Sequence, residues 1–297
     1  MDRPVALIGA GGVGSLLVGA LLHNGLSFQW VVRNPARRKQ LDRLHLLAGN
    51  DALEYGLERV ELLGEASGLG AVDWLILAVK AQQAGPLLDK LKPGPSTRVL
   101  LVANGLHERD VHLGLLYGGV LLDQGRLVTG EDNELVIGPL GKCADESGEL
   151  ADMLEAPFLH CTLKSSIQEA MWNKLALNCV VNPLSALLDC INGALLLHLE
   201  TPLVQGILRE VHALIEAESP GREPLSLESL AGGLRDLLVS TAGNSSSMRE
   251  DLAAGRETEI EMLNLAIARV GKRHGVPCPI NESLGCIVRS ISNGGGL

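Results

Sequence analysis

Val5-Ala6-Leu7-Ile8-Gly9-Ala10-Gly11-Gly12-Val13-Gly14 is the stretch on which the fold turns. A short apolar run, long enough for a buried strand, leads into glycines spaced G-x-G-x-x-G, and residues 15–22 then read as a helix. Gly9 would allow the tight turn, Gly11 would let backbone approach a pyrophosphate, and Gly14 would let the helix pack close on the sheet with its N-terminus facing the anion. Position, spacing and flanking strand agree, so Gly9, Ala10, Gly11, Gly12, Val13 and Gly14 are expected to cradle a dinucleotide rather than form a bare turn.

Outward from that turn, short apolar runs at residues 4–8, 28–32, 74–79 and 99–102 alternate with helix-like segments, the pattern of a parallel sheet with crossover helices. Runs at 119–122, 126–129 and 134–137 are expected to add a meander on one sheet edge, with turns at Asp123-Gln124-Gly125 and residues 130–133. From about residue 165 strand signals nearly vanish. Ile260, Leu263, Ile267 and Val270 make one apolar helical stripe behind the start signal Thr258-x-x-Glu261, and Ser219-Pro220-Gly221 and Pro277-Cys278-Pro279 punctuate the helices. The expected class is α/β: a Rossmann-like parallel-sheet domain over residues 1–164, an all-helical domain over 165–297 with a loose tail from Asn293, and a cleft where they meet.

The second strand ends in Trp30-Val31-Val32-Arg33-Asn34, where an NAD-preferring site usually carries an acid for the ribose hydroxyls. Arg33 stands there instead and can grip a 2′-phosphate, so NADPH is the expected cofactor; Arg37, Arg38 and Lys39 add to the local positive field. Two further strand ends are Val79-Lys80 and Ala103-Asn104-Gly105. Lys80 and Asn104 there would meet ribose, nicotinamide or substrate; equally, Lys80 can start a surface helix and Asn104-Gly105 can be a plain turn.

In the segment from Met171 to Ser185, polar groups at Lys174, Asn178, Asn182 and Ser185 share one helical face, while nearly every other position from Leu175 onward is apolar. A solvated surface stripe would be built of Glu, Lys and Arg; asparagines are poor helix formers and suit a lining that holds a carboxylate or hydroxyl without net charge. Pro183 would kink the helix there. A partly desolvated lysine in such a place can protonate a carbonyl oxygen as hydride reaches the carbon, which makes Lys174 the expected proton donor. Downstream, Ser247 with Glu250 fits a capping box, and Glu259 suits the first turn of the next helix.

Composition narrows the classes. The 297 residues are 46% hydrophobic, with only 2 Phe, 3 Trp and 2 Tyr, so the core is expected from Leu, Val, Ile and Ala; the net charge of −10 disfavours nucleic acid. The 6 cysteines lack C-x-x-C pairing and are expected as reduced thiols, and the 8 histidines form no metal spacing, most being expected at the surface or as caps. No leader peptide is expected, since a strand-like run already begins by Val5, and no membrane span, since Asn178, Asn182, Pro183 and Asp189 interrupt the most apolar long segment; with the reduced thiols the expectation is a cytoplasmic protein, with room for a homodimer.

The motifs together resemble the ketopantoate reductase family across nearly the whole chain: the glycine turn, Val79-Lys80-Ala81, Ala103-Asn104-Gly105, Trp172-Asn173-Lys174-Leu175-Ala176-Leu177-Asn178-Cys179 with Asn182-Pro183-Leu184, Asn192-Gly193, Ser246-Ser247-Met248 and Thr258-Glu259-Ile260. That resemblance implies NADPH-dependent reduction of 2-dehydropantoate to pantoate in pantothenate biosynthesis. It makes Lys174 the catalytic lysine, Asn178, Asn182, Asn192 and Ser247 substrate contacts, and Arg33 the arginine favouring NADPH. Asn104 and Glu259 would lie against both substrate and cofactor. The chain departs from the family at residues 115–120, where Leu115-Leu116-Tyr117-Gly118-Gly119-Val120 replaces Thr-, His- and Ala-rich sequence. The alternatives are reduction of another branched 2-keto acid, or an NADPH-binding regulatory protein without turnover.

Overall fold

A computed structural model describes residues 5–123, 125–130, 132–144, 146–218 and 225–294. Pro4, Gln124, Ser219-Pro220-Gly221 and the end of the C-terminal tail, all assigned roles above, lie outside the described residues. The chain forms two compact units, Met1–Ala103 with Glu108–Ile167, and Asn104–His107 with Gln168–Leu297. The short Asn104–His107 segment leaves the first unit and belongs to the second.

Unit 1 runs β1 (Val5–Ile8), α1 (Gly12–His23), β2 (Phe28–Val31), α2 (Pro35–Gln40), β3 (Arg43–Ala48), β4 (Asp51–Gly56), β5 (Val60–Leu63), β6 (Trp74–Leu77), α3 (Ala81–Leu91), β7 (Arg98–Val102), β8 (Val111–Tyr117), β9 (Val120–Asp123), β10 (Arg126–Thr129), β11 (Glu134–Leu140), α4 (Ser147–Leu154) and β12 (His160–Leu163). The main sheet is ordered β12-β11-β8-β7-β6-β1-β2-β5. β1 pairs in parallel with β2 and with β6, Val5 lying opposite both Phe28 and Trp74, and all of its residues are buried. Strands covered on both faces need continuous apolar sequence, and each such side chain contributes about 1.5–3 kcal/mol on burial. Strand order reverses around β1, so the glycine turn stands at the carboxyl end of a strand at the switch point, where open α/β sheets take their ligands.

The expected edge meander is not what forms. β9 and β10 make an antiparallel hairpin in a second sheet, ordered β4-β3-β10-β9, while β11 leaves them to pair antiparallel with β8 in the main sheet. The second sheet exists because β3 alternates: Arg43 and His45 face out, and Leu44, Leu46 and Ala48 are buried. Leu44 and Leu46 pack against α1 at Gly19, where a Cβ would lie 3.3 Å from both side chains.

Unit 2 contains α5 (Gln168–Leu187), α6 (Pro202–Glu218), α7 (Leu227–Ser240), α8 (Ser247–Ala253), α9 (Asn264–His274) and α10 (Pro279–Ser292), with 3-10 turns at Asn192–His198 and Ile260–Met262. α5 packs against α6, α7, α8 and α10, which makes it the central helix. The stripe Ile260, Leu263, Ile267 and Val270 is buried as its spacing requires, but the helix does not start at Thr258. The chain breaks at Leu263 and α9 begins at Asn264, because the carbonyl of Met262 accepts instead from Leu106 N at 3.0 Å. Among the described residues no single helix is long and apolar enough to cross a membrane. No disulfide joins the described cysteines, and burial pushes the Cys161 thiol up to about 12 and Cys278 to about 11.

Candidate active site

In unit 1 the glycines divide their labour. Gly9 has φ +131°, and a Cβ on it would lie 2.1 Å from the carbonyl oxygen of Ala78; a Cβ on Gly14 would lie 2.4 Å from the Gly9 oxygen. Both are glycine because the turn is packed against its own strand neighbours. Gly11 differs: a Cβ there would meet nothing within 4 Å. It stands at the N-cap of α1, with no side chain capping the helix and no acid in the first turn. The exposed amides of that turn are a ready anion seat. Trp30 Nε1 donates to Gly9 O at 2.9 Å and holds the turn on β2.

Beside the turn is a cavity of about 700 Å³ lined by Gly9, Ala10, Val31, Arg33, Asn34, Pro35 and Arg37, with no carboxylate among them. Asn34 caps α2 by accepting from Ala36 N and Arg37 N at 3.0 and 3.2 Å. Arg33 is exposed and donates to Gln83 Oε1 at 3.2 Å. Arg37 is the residue whose environment the linear reading underweighted: it is partly buried, and its Nη2 donates to Ser15 Oγ on α1 at 2.9 Å. Its buried Nε meets no acceptor among the described residues. Desolvation by burial lowers its pKa. The open Gly11 and the uncapped helix fit the pyrophosphate of a dinucleotide, and the two arginines line a cavity with no acid in its lining. Lys80 precedes α3 as its N-cap residue, so the helix-start reading of that residue describes its backbone.

In unit 2 the polar stripe takes the open side of α5. Between Met171 and Ser185 only Asn173, Lys174 and Asn178 keep partial exposure; Asn182 is 7% exposed and Ser185 is fully buried. The stripe therefore descends from solvent into the core. Neither the Asn178 nor the Asn182 amide makes a hydrogen bond to a described residue, and both keep polar atoms open to a ligand. Asn192, also 7% exposed, donates from Nδ2 to Thr241 Oγ1 at 3.0 Å, while its buried Oδ1 finds no donor among the described residues. Desolvation on α5 pushes Lys174 down to about 8, with the Glu259 carboxylate opposing that fall.

Asn104 joins this group through tertiary contact. Its Nδ2 donates to Glu259 Oε2 at 3.2 Å across 155 positions of sequence. Gly105 makes the approach feasible: its φ is +93°, and a Cβ would lie 2.5 Å from Met262 O. His107 Nε2 is 3.1 Å from Asn104 O; the ring is buried and its pKa is pushed down to about 4, so the neutral ring donates to that carbonyl. His107 and His112, the latter 1% exposed, are the buried exceptions among the histidines.

The cap of α8 also moves by one residue. Ser246 rather than Ser247 is the N-cap, accepting from Arg249 N at 3.1 Å. Ser246 is drawn inward because its Oγ lies 2.6 Å from Ser185 Oγ on α5, and Ser247 is left exposed as the first helical residue.

Residues 5–122 match Ketopantoate reductase PanE/ApbA, and residues 166–292 match Ketopantoate reductase PanE/ApbA C terminal. The 2-dehydropantoate 2-reductase of Vibrio cholerae serotype O1 is 32% identical over 225 residues, covering 71% of this chain and 75% of the relative. The chain belongs to the ketopantoate reductase family. A second relative, the 2-dehydropantoate 2-reductase of Shigella flexneri, is 28% identical over 292 residues, 94% of this chain and 92% of its own. Among solved structures, a PanE/ApbA family ketopantoate reductase from Ralstonia eutropha JMP134 superposes with a TM-score of 0.82 at 25% identity, covering 98% of this chain and 99% of that one. Family membership runs through both units, so the glycine turn and the α5 stripe belong to one inherited framework.

Proposed function

We propose that this chain reduces 2-dehydropantoate to pantoate with NADPH, with Lys174 as proton donor. The observation that carries the reading is the lysine itself: a desolvated ammonium with a pKa near 8, on the same helical face as two amides that bond to no described residue. The cofactor is a nicotinamide dinucleotide, and when bound in its reduced form it supplies the hydride. Preference for NADPH is supported by Arg33 and Arg37 in a cavity without a carboxylate, where a 2′-phosphate would meet their charge. Gly9 through Gly14 would hold the pyrophosphate, and Lys80 the ribose or nicotinamide side.

Asn178, Asn182, Asn192 and Ser247 would bind the substrate carboxylate and hydroxyls. The bare Oδ1 of Asn192 suits a donor such as a hydroxyl. Lys174, protonated, would polarise the keto oxygen and then transfer its proton as alkoxide forms, so that charge builds where an ammonium already stands. Glu259 would keep the ammonium charged near neutral pH and, with Asn104, would orient both ligands. The expected order is hydride to carbon and proton from Nζ to oxygen, yielding a 2-hydroxy acid.

The test is NADPH absorbance followed with purified protein, 2-dehydropantoate and a panel of other branched 2-keto acids. Oxidation fastest with 2-dehydropantoate is expected. A faster acid elsewhere in the panel would reassign the substrate, and dinucleotide binding without any oxidation would make the chain a regulatory protein.

A further inference from the structure

Pro183 sits inside α5, so the helix lacks one N–H where it is most buried. That N–H would have bonded the carbonyl of Cys179, four residues back. The Cys179 carbonyl does not go bare: Asn264 Nδ2 donates to it at 2.9 Å. Asn264 is fully buried, and its second N–H goes to Asn281 Oδ1 at 2.9 Å. Asn281 Nδ2 in turn donates to Glu210 Oε2 at 2.8 Å. Glu210, on α6, also accepts from Ile280 N and Asn281 N at 2.8 and 2.9 Å, and so caps α10 from outside. Exchanging the oxygen and nitrogen of the Asn264 amide would set an oxygen against two acceptors, so its direction is fixed by its partners.

The ends of this chain matter for the chemistry. Cys179 lies in the turn of α5 between Asn178 and Asn182, five residues after Lys174. Asn264 opens α9 directly after the break at Leu263 and stands five residues beyond Glu259. One amide therefore ties the helix that carries the lysine to the segment that carries its carboxylate, at the point where the helix is weakened. We infer that Asn264 is a positioning residue, which holds the carbonyl left by Pro183 and thereby sets Lys174 and Glu259 in register for proton transfer. Being fully buried, its side chain offers no surface to substrate or cofactor. The inference rests on the reaction proposed above for its kinetic consequence, though not for the link itself.

The experiment is a double-mutant cycle on the full chain with Asn264→Ala, Pro183→Ala and the pair. Asn264→Ala should lower kcat by about 10²-fold, the scale of a misplaced acid, and move the alkaline limb of kcat/KM, while the KM for NADPH stays within about twofold. Pro183→Ala returns an N–H to the helix, so the drop in unfolding temperature caused by Asn264→Ala should shrink in that background. Equal drops in both backgrounds would overturn the carbonyl link, and an unchanged kcat and pH profile would reduce the bond to a structural one. If the alanine variant does not fold, Asn264→Asp, close in volume and unable to donate when ionised, carries the same cycle. A wild-type chain that turns over no 2-keto acid would sink the reaction and leave the inference to the titration of Lys174, read from the ¹³C shift of its Cε. A midpoint displaced by about half a unit or more in the Asn264 variant supports positioning, and an unmoved one overturns it.

Discussion

The glycine turn of unit 1 and the α5 stripe of unit 2 solve recognition in opposite ways. The turn is defined by side chains that are missing: Gly9 and Gly14 because neighbours would collide with a Cβ, Gly11 because the space in front of it is open. The stripe is defined by side chains that are present, Lys174, Asn178 and Asn182 on one face of a helix otherwise buried. Backbone recognition is insensitive to pH and reads a phosphate by shape and dipole, whereas recognition by a titrating lysine is set by desolvation and by one nearby carboxylate. Binding of dinucleotide and chemistry on the keto acid should therefore be separable by mutation.

The sharpest way to break that separation is Lys174→Ala. Turnover should fall by roughly 10²- to 10⁴-fold with dinucleotide affinity unchanged, as measured by steady-state kinetics and fluorescence titration. Because reduction needs the ammonium, kcat/KM of the wild type should decline as pH rises through about 8. Lys174→Arg should remove that limb, since a guanidinium keeps its charge. Near-normal turnover of the alanine variant would take the chemistry away from α5.

Within unit 1 the arginines carry the next largest effect. Arg33→Ala and Arg37→Ala should each weaken NADPH by about 10- to 100-fold, the worth of a charge-assisted bond, and leave NADH nearly untouched in calorimetric titrations. Equal losses for both dinucleotides would mean that neither arginine reads the 2′-phosphate. The glycines sharpen the same contrast. Gly11→Ala should spare the unfolding temperature and weaken dinucleotide binding several-fold, while Gly9→Ala should cost about 1–3 kcal/mol of fold stability itself.

The smallest effect tests how unit 2 holds Asn104. His107 is neutral in the fold, with its pKa pushed from 6.5 to about 4 by burial. A depressed histidine pKa means that protons favour the unfolded chain, so its contribution is intact above about pH 6.5 and is lost as pH falls toward 4. Denaturant melts should show about 1 kcal/mol of loss between neutral pH and about pH 5.5, absent in His107→Gln. A pH-independent difference between the two proteins would exclude His107 as the titrating anchor.

Much of this molecule is legible in one dimension. The strand β1, the glycine spacing and the four-residue repeat of Lys174, Asn178 and Asn182 are local periodicities, and local periodicity dictates which face of a strand or helix a residue occupies whatever packs on it. The alternation in Arg43–Ala48 was equally local and marks the second sheet, although which strands it would join was not. Ser246 displaced Ser247 as the α8 cap because a hydroxyl on α5 was waiting for it, and the expected start at Thr258 gave way because Leu106 claimed the Met262 carbonyl.

What the sequence determined by itself is thus the class of fold, the phosphate-ready turn and the polar face of α5, all properties of neighbours in the chain. Only the tertiary structure could bring Asn104 to Glu259, turn Arg37 inward to Ser15 and place Asn264 on the carbonyl that Pro183 leaves. Each of those is a pairing of polar groups far apart in sequence. Such pairings are decided by the need to satisfy every buried donor and acceptor once the core has closed, a condition no local pattern contains.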